Sequence, residues 1–202
     1  MLSAGRKPEK SPVPEAQPLL SDQQVAGLTA AVAQYIAAQR EHYVGRAVPL
    51  SFSELWSRFF SRADLERIRA VQAGASDPMA VAKGTAIGRV PNPPFYAELE
   101  KLGFTGLPNF ATMPAITFDD VVVFHEPLTP QLIFHELVHV VQYRLLGVGE
   151  FARLYVRGYL RGGYAGTPLE VCAYELDGRF IMGSVGFDVE AEVQRWIDEG
   201  QF

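Results

Sequence analysis

Cysteine is nearly absent from this chain of 202 residues, Cys172 being the only one. That excludes an intramolecular disulfide framework and any zinc site built from paired thiolates, and it fits a reducing compartment. Long apolar runs are missing as well: no stretch reaches the ~18 consecutive apolar residues of a membrane-spanning helix. The N-terminus lacks the apolar segment of a secretory signal, because Lys7, Lys10 and the prolines at 8, 12, 14 and 18 interrupt it. Together these absences predict a cytoplasmic protein without a membrane partner. There is no basic excess either, since 18 Lys+Arg stand against 23 Asp+Glu for a net charge of −5. No electrostatic footprint for nucleic acid follows, and none is expected as a partner. What the chain does have is 48% hydrophobic residues, enough for one ordinary core.

Residues 1–20 are polar and proline-rich, a composition that reads as a disordered leader ahead of a single domain over 21–202. Ser21 with Gln24 three residues later is a capping-box signature, and Val25, Leu28, Val32 and Ile36 then repeat at helical spacing to about residue 43. A second helical region is expected over 52–60. A third is expected from Ser61, with Leu65, Ile68 and Val71 as its buried stripe and Gly74 at its end, so that 21–74 forms a helical N-terminal part. Residues 74–95 read as loop. Two short β-rich runs around Asp119-Asp120 predict a hairpin within 115–125. Thr129-Pro130 supplies an N-cap and a first-turn proline for a helix that runs to Leu146 and stops at Gly147. A helix near 150–160 follows, Thr167-Pro168 opens the next, and Asp188 caps a last one through Trp196.

The chemistry concentrates in His135-Glu136-Leu137-Val138-His139, an H-E-x-x-H pattern. On a helix, histidines at i and i+4 face the same way and can share one zinc ion, with the glutamate beside them. Leu132, Ile133, Phe134, Leu137, Val138, Val140 and Val141 surround the motif, so the helix is apolar nearly all round apart from one polar stripe. Burying two imidazoles and a carboxylate without partners would cost several kcal/mol, and one divalent cation matches the geometry. Hydrogen-bonded core histidines with a salt-bridged Glu136 are the plainer alternative.

A catalytic zinc site has three protein ligands and keeps one position open. Gln142 and Leu145 occupy the glycine and histidine positions of the extended three-histidine pattern, and no histidine follows His139. A carboxylate on a later helix is therefore expected, with Glu170, Glu175 and Asp177 as candidates and Glu150 further behind. Glu170 is preferred, in the first turn of its helix, although Thr167-x-x-Glu170 also reads as a capping box. Asp177, seven residues on, could accept a hydrogen bond from a ligand histidine.

At these residues the chain resembles the gluzincins, zinc peptidases with H-E-x-x-H on one helix and a glutamate ligand on a later one. It is most similar to the compact zincin-like domains of bacteria, in which a hairpin precedes "HEL-x-HV-x-Q" and an "NPxExxAY"-like segment follows. The matching stretches run from His135 through Gln142 to Tyr143 and from Thr167 through Glu170 to Tyr174, within about 95–180. The resemblance implies that His135, His139 and Glu170 bind the metal and that Glu136 is the general base. Many gluzincins carry E-x-x-x-D on the glutamate helix, and here Tyr174 stands in the aspartate's place. The expected fold is α+β, a mostly helical minimal zincin-like domain with a short hairpin or small sheet before the buried helix.

One zinc ion held this way would lower the pKa of a bound water and polarise a substrate carbonyl, while Glu136 moves the proton to the leaving amine. Tyr159, Tyr164, Tyr174 and His125 are available as donors to the tetrahedral intermediate, and the sequence does not choose among them. The β run over 121–125 could be an exposed edge that pairs with an extended peptide, or an ordinary interior strand. Arg153, Arg157 and Arg161 share a helix face that could attract acidic substrates or simply be solvated. The expectation is a zinc metallopeptidase acting on a peptide or protein. Its alternative is a non-catalytic zinc-stabilised binding or accessory domain, in either case compatible with a bacterial toxin or effector system.

Overall fold

The computed structural model describes residues 19–51, 54–74, 84, 86–183 and 185–202. Expectations for 1–18, and for 75–83 and 85 of the loop over 74–95, lie outside these residues. Helix α1, Asp22–Val44, starts as its sequence predicts: the Ser21 hydroxyl accepts from the Gln24 amide, and the Gln24 side chain accepts from the Ser21 amide. Its apolar side buries Val32, Tyr35, Ile36 and Tyr43. Among the described residues no helix is long and apolar enough to cross a membrane.

A mixed sheet of four short strands forms the β part: β1 (Val48–Pro49), β2 (Arg69–Gln72), β3 (Ala115–Phe118) and β4 (Val121–Phe124), in the spatial order β1-β2-β4-β3. The expected hairpin is β3–β4, antiparallel with Phe118 opposite Val121 and turned at Asp119, which adopts φ 57°. The segment read as a third helix is divided. Helix α2 covers only Arg62–Arg67, and the chain then extends into β2, parallel to β4 from Arg69 opposite Val121 to Gln72 opposite Phe124. All four residues of β4 are buried and take ladder partners on both sides, so tertiary pairing overrides the helical spacing of Ile68 and Val71. The possible edge at 121–125 is thus interior, and the outer strand beside it is β3. Within 52–60 the described residues form only a 3₁₀ turn, Trp56–Arg58, whose neighbours Phe59 and Phe60 insert against Phe134. Helix α3, Tyr96–Lys101, was not anticipated.

Helix α4, Pro130–Gly162, contains the H-E-x-x-H motif of His135 to His139. The Thr129 hydroxyl accepts from the Leu132 amide and Pro130 fills the first turn, as its sequence predicts. Gly147 breaks the helical path at φ 73° and ψ 157°, a conformation glycine adopts without penalty, and divides α4 into two arms. Every residue from Phe134 to Tyr143 in the first arm is buried. Across the break, the Tyr143 and Phe151 rings stack with centroids 3.7 Å apart. Helix α5, Pro168–Ile181, packs on α4, burying Leu169, Cys172, Ala173 and Leu176. The last helix, α6, Val189–Asp198, is capped by Asp188 as expected. The result is a mostly helical α+β fold in which sheet, α1 and α5 surround the first arm of α4.

Candidate metal centre

His135 and His139 lie one turn apart on the buried arm, and α5 brings the Glu170 side chain up to both. The two Nε2 atoms are 3.1 Å apart, and Glu170 Oε2 is 3.4 Å from that of His135 and 3.6 Å from that of His139. Donors about 2.0–2.1 Å from one tetrahedral ion are separated by about 3.3 Å, so this triangle has the size that such an ion requires. All three residues are at least nine-tenths buried. Glu170 Oε2 is fully buried without a hydrogen-bond partner among the described residues.

The outer nitrogens explain why the inner ones converge. His135 Nδ1 lies 3.0 Å from Asp177 Oδ2, and His139 Nδ1 lies 2.8 Å from Gln142 Oε1. A carboxylate and an amide oxygen only accept, and the Gln142 amide hydrogens are committed to the Leu169 carbonyl at 3.0 Å. Both Nδ1 atoms therefore carry the protons in the neutral rings, and both Nε2 lone pairs face the Glu170 carboxylate. Three electron-rich atoms in a buried space call for a positive charge between them. In the ion-free chain this shows as proton affinity. Burial opposes charge on His135, but the hydrogen bond to Asp177 and the nearby Glu170 carboxylate outweigh it and push the imidazole up to about 10. Burial is likewise outweighed at His139, raised by Glu170, and at Glu170, held well below the usual carboxylate range by the two histidines. The residues present fit a small divalent cation.

The other carboxylates separate clearly. Glu175 is exposed on the far side of α5, and Glu150 pairs with Arg153. Asp177 is buried on His135 Nδ1, the position from which it orients the ring. It does this from seven residues beyond Glu170, whereas Tyr174, four residues beyond Glu170, lays its ring against His135 with centroids 4.6 Å apart. The alternative reading of Thr167 and Glu170 as a capping box does not hold: the Thr167 hydroxyl donates to the Tyr164 carbonyl, and the Glu170 side chain faces the histidines.

Glu136 points away from the triangle's hydrogen-bonded back, and its Oε2 accepts from the Thr117 hydroxyl of β3 at 2.7 Å. It stands where two spaces meet. One is an outer groove of about 540 Å³, reached by His135, Asp177 and Tyr174. The other is an inner cavity of about 90 Å³, bordered by His139 and Glu170. Glu136 and Tyr164 line both. Burial first, then the Glu170 charge, raise the Tyr164 phenol and keep it protonated. Of the remaining donor candidates, Tyr174 lines the groove, Tyr159 donates to the Thr105 carbonyl beneath α3, and His125 is committed to Val90 and Met113. Arg157 and Arg161 are exposed and Arg153 pairs with Glu150, which makes that helix face a solvated one.

Two contributors escaped sequence reasoning. In the sequence Gln142 is a departure from the three-histidine pattern and the end of the HEL-x-HV-x-Q stretch, and neither reading gives it a partner, although an amide three residues after a motif histidine in an apolar helix is itself a signal. Thr117 gives no local signal, because its role depends on β3 crossing the helix. No family model, curated protein or solved structure matches the chain.

Proposed function

We propose that this chain is a zinc-dependent metallopeptidase of the gluzincin type, with one zinc ion held by His135, His139 and Glu170. The observation that carries the reading is the convergence of two imidazole lone pairs and an unpartnered buried carboxylate oxygen at tetrahedral spacing, next to a second carboxylate that faces a groove. A bound zinc ion supplies Lewis acidity, polarising a carbonyl and acidifying water.

Everything else is the work of the chain's own residues. Asp177 and Gln142 hold the imidazoles in the tautomer that presents Nε2 inward. Glu136 is the general base: it takes a proton from the attacking water and delivers it to the leaving amine. The Thr117 hydroxyl fixes the Glu136 carboxylate so that this transfer needs little reorganisation. Tyr164, protonated and lining both spaces, is the donor best placed for the developing oxyanion. The groove gives an extended peptide room to lie across the site. We place the activity in the cytoplasm, where the buried Cys172 would stay reduced.

The deep burial of all three donors, which join α4 to α5, also favours a second reading, a zinc-stabilised binding domain without turnover. Glu136→Gln separates the two. It keeps the side chain's size but cannot accept a proton at neutral pH. For a peptidase, the variant retains zinc and fold while hydrolysis of a peptide library falls by about 10² or more. Full activity in Glu136→Gln would overturn the mechanism. A zinc-loaded wild type that cleaves nothing in the library would leave the binding domain.

A further inference from the structure

Thr117 offers two groups to α4. Its hydroxyl donates to Glu136 Oε2 at 2.7 Å, and its carbonyl accepts from the Tyr143 hydroxyl at 3.3 Å. Glu136 and Tyr143 are seven residues apart, two turns along one face of the helix, so a single strand residue is held at both ends by one element. The second bond matters because β3 is the outer strand of the sheet, paired with β4 alone. Held by its hydroxyl only, Thr117 would be free to shift along α4 and take the carboxylate with it, and small displacements of a reacting group cost rate steeply. Tyr143 is itself fixed. The Phe151 ring, carried by the second arm of α4 beyond the break at Gly147, stacks on it with centroids 3.7 Å apart and 15° between the planes. The residue is 3% exposed, so bulk water does not compete for the Thr117 carbonyl. Burial first, then the Asp119 and Glu136 charges, raise the phenol and keep it a proton donor.

From this arrangement we infer that Tyr143 is a positioning residue for the general base: acting through Thr117, it holds the Glu136 carboxylate in the orientation that proton transfer requires. The role rests on the metallopeptidase reading of the same site. Tyr143 does not line the outer groove, so it has no part in binding a peptide there. Its effect belongs to the chemical step.

A double-mutant cycle in hydrolysis tests this, using the zinc-loaded chain and the library peptide that the wild type cleaves fastest. Tyr143→Phe keeps the ring and its stack and removes only the hydroxyl. It should retain zinc, melt within about 4 °C of wild type, leave KM unchanged and lower kcat by about 3- to 10-fold, the scale of one neutral hydrogen bond. Thr117→Val removes the bond to the carboxylate itself and should lower kcat by about 10- to 100-fold, whereas Thr117→Ser keeps the hydroxyl and should stay near wild type. The combinations decide between positioning and packing. Because Tyr143 acts only through the Thr117 hydroxyl, adding Tyr143→Phe to Thr117→Val should cost no further kcat, while adding it to Thr117→Ser should cost the same factor as in the wild type. Full kcat in Tyr143→Phe, losses that multiply in the Thr117→Val background, or a fall that comes with lost zinc or a lost fold overturns the positioning role. With Glu136→Gln inactive in the same assay, those results leave the metallopeptidase reading intact. A zinc-loaded wild type that cleaves nothing, or full activity in Glu136→Gln, overturns that reading and the role of Tyr143 with it.

Discussion

His135 and His139 each have two ring nitrogens, and in this fold the two are given opposite tasks. Asp177 and Gln142 take the Nδ1 protons, which leaves two bare Nε2 atoms aimed at Glu170. Gln142 does more than orient one ring, because its amide also ties the buried arm of α4 to the Leu169 carbonyl beside Glu170. Gln142→Ala should therefore lower zinc affinity by about 10- to 100-fold, the usual cost of losing an outer hydrogen-bond partner, with competition against a chelator as the measurement. Unchanged affinity would remove Gln142 from the site. His125 makes a separate prediction about pH. Burial lowers its pKa in the folded chain, and its neutral ring accepts the Val90 amide at Nε2 while Nδ1 donates to the Met113 carbonyl. A histidine depressed by folding adds stability that is complete above its unfolded pKa of about 6.5 and is lost as the pH falls through the lower folded value. Urea midpoints should drop on acidification below about 6.5, and His125→Gln should flatten that part of the dependence.

Among the elements, those legible from the sequence are the ones with local signals. The Ser21 capping box, the turn at Asp119-Asp120, the Thr129-Pro130 start and the Gly147 break all lie where their residues predict. The element that escaped, β2, gains its identity from β4, a partner 52 positions away in register, and no pattern within Arg69–Gln72 reports that pairing. Thr117 is illegible for the same reason, since its bond to Glu136 crosses between elements. The placement of Glu170 depends on another such contact. A Cβ at Gly158 would come within 2.7 Å of Pro168 Cδ and 3.0 Å of Thr167 Cα, so only glycine lets the second arm of α4 meet the start of α5. Gly158→Ala should push that start outward, destabilise the fold by about 1–3 kcal/mol and weaken zinc binding, as read by denaturant unfolding and chelator competition. A variant with native stability and zinc affinity would show that this contact does not position the glutamate.

At the scale of the whole molecule, an ion held as proposed would join α4 and α5, two helices that otherwise meet largely through apolar packing. Ligand binding to the folded state alone stabilises it by about 2.7 kcal/mol at a free concentration of 100 times Kd. For a chain of this size that corresponds to a melting temperature on the order of 5–10 °C higher with zinc than after chelation. Calorimetric melts before and after removal and restoration of the metal measure this. No difference between the two states would mean that the triangle holds no ion that matters to the fold.

The account stands or falls on whether His135, His139 and Glu170 bind one zinc ion together, and elemental analysis of the purified chain and four single variants asks that directly. The prediction is about one zinc per wild-type chain, with loss of the bound metal in His135→Ala and His139→Ala and strongly weakened binding in Glu170→Ala. Glu175→Ala, on the exposed side of α5, should keep its full complement. Stoichiometric zinc retained by both histidine variants, or equal zinc affinities in Glu170→Ala and Glu175→Ala, would contradict the proposed centre.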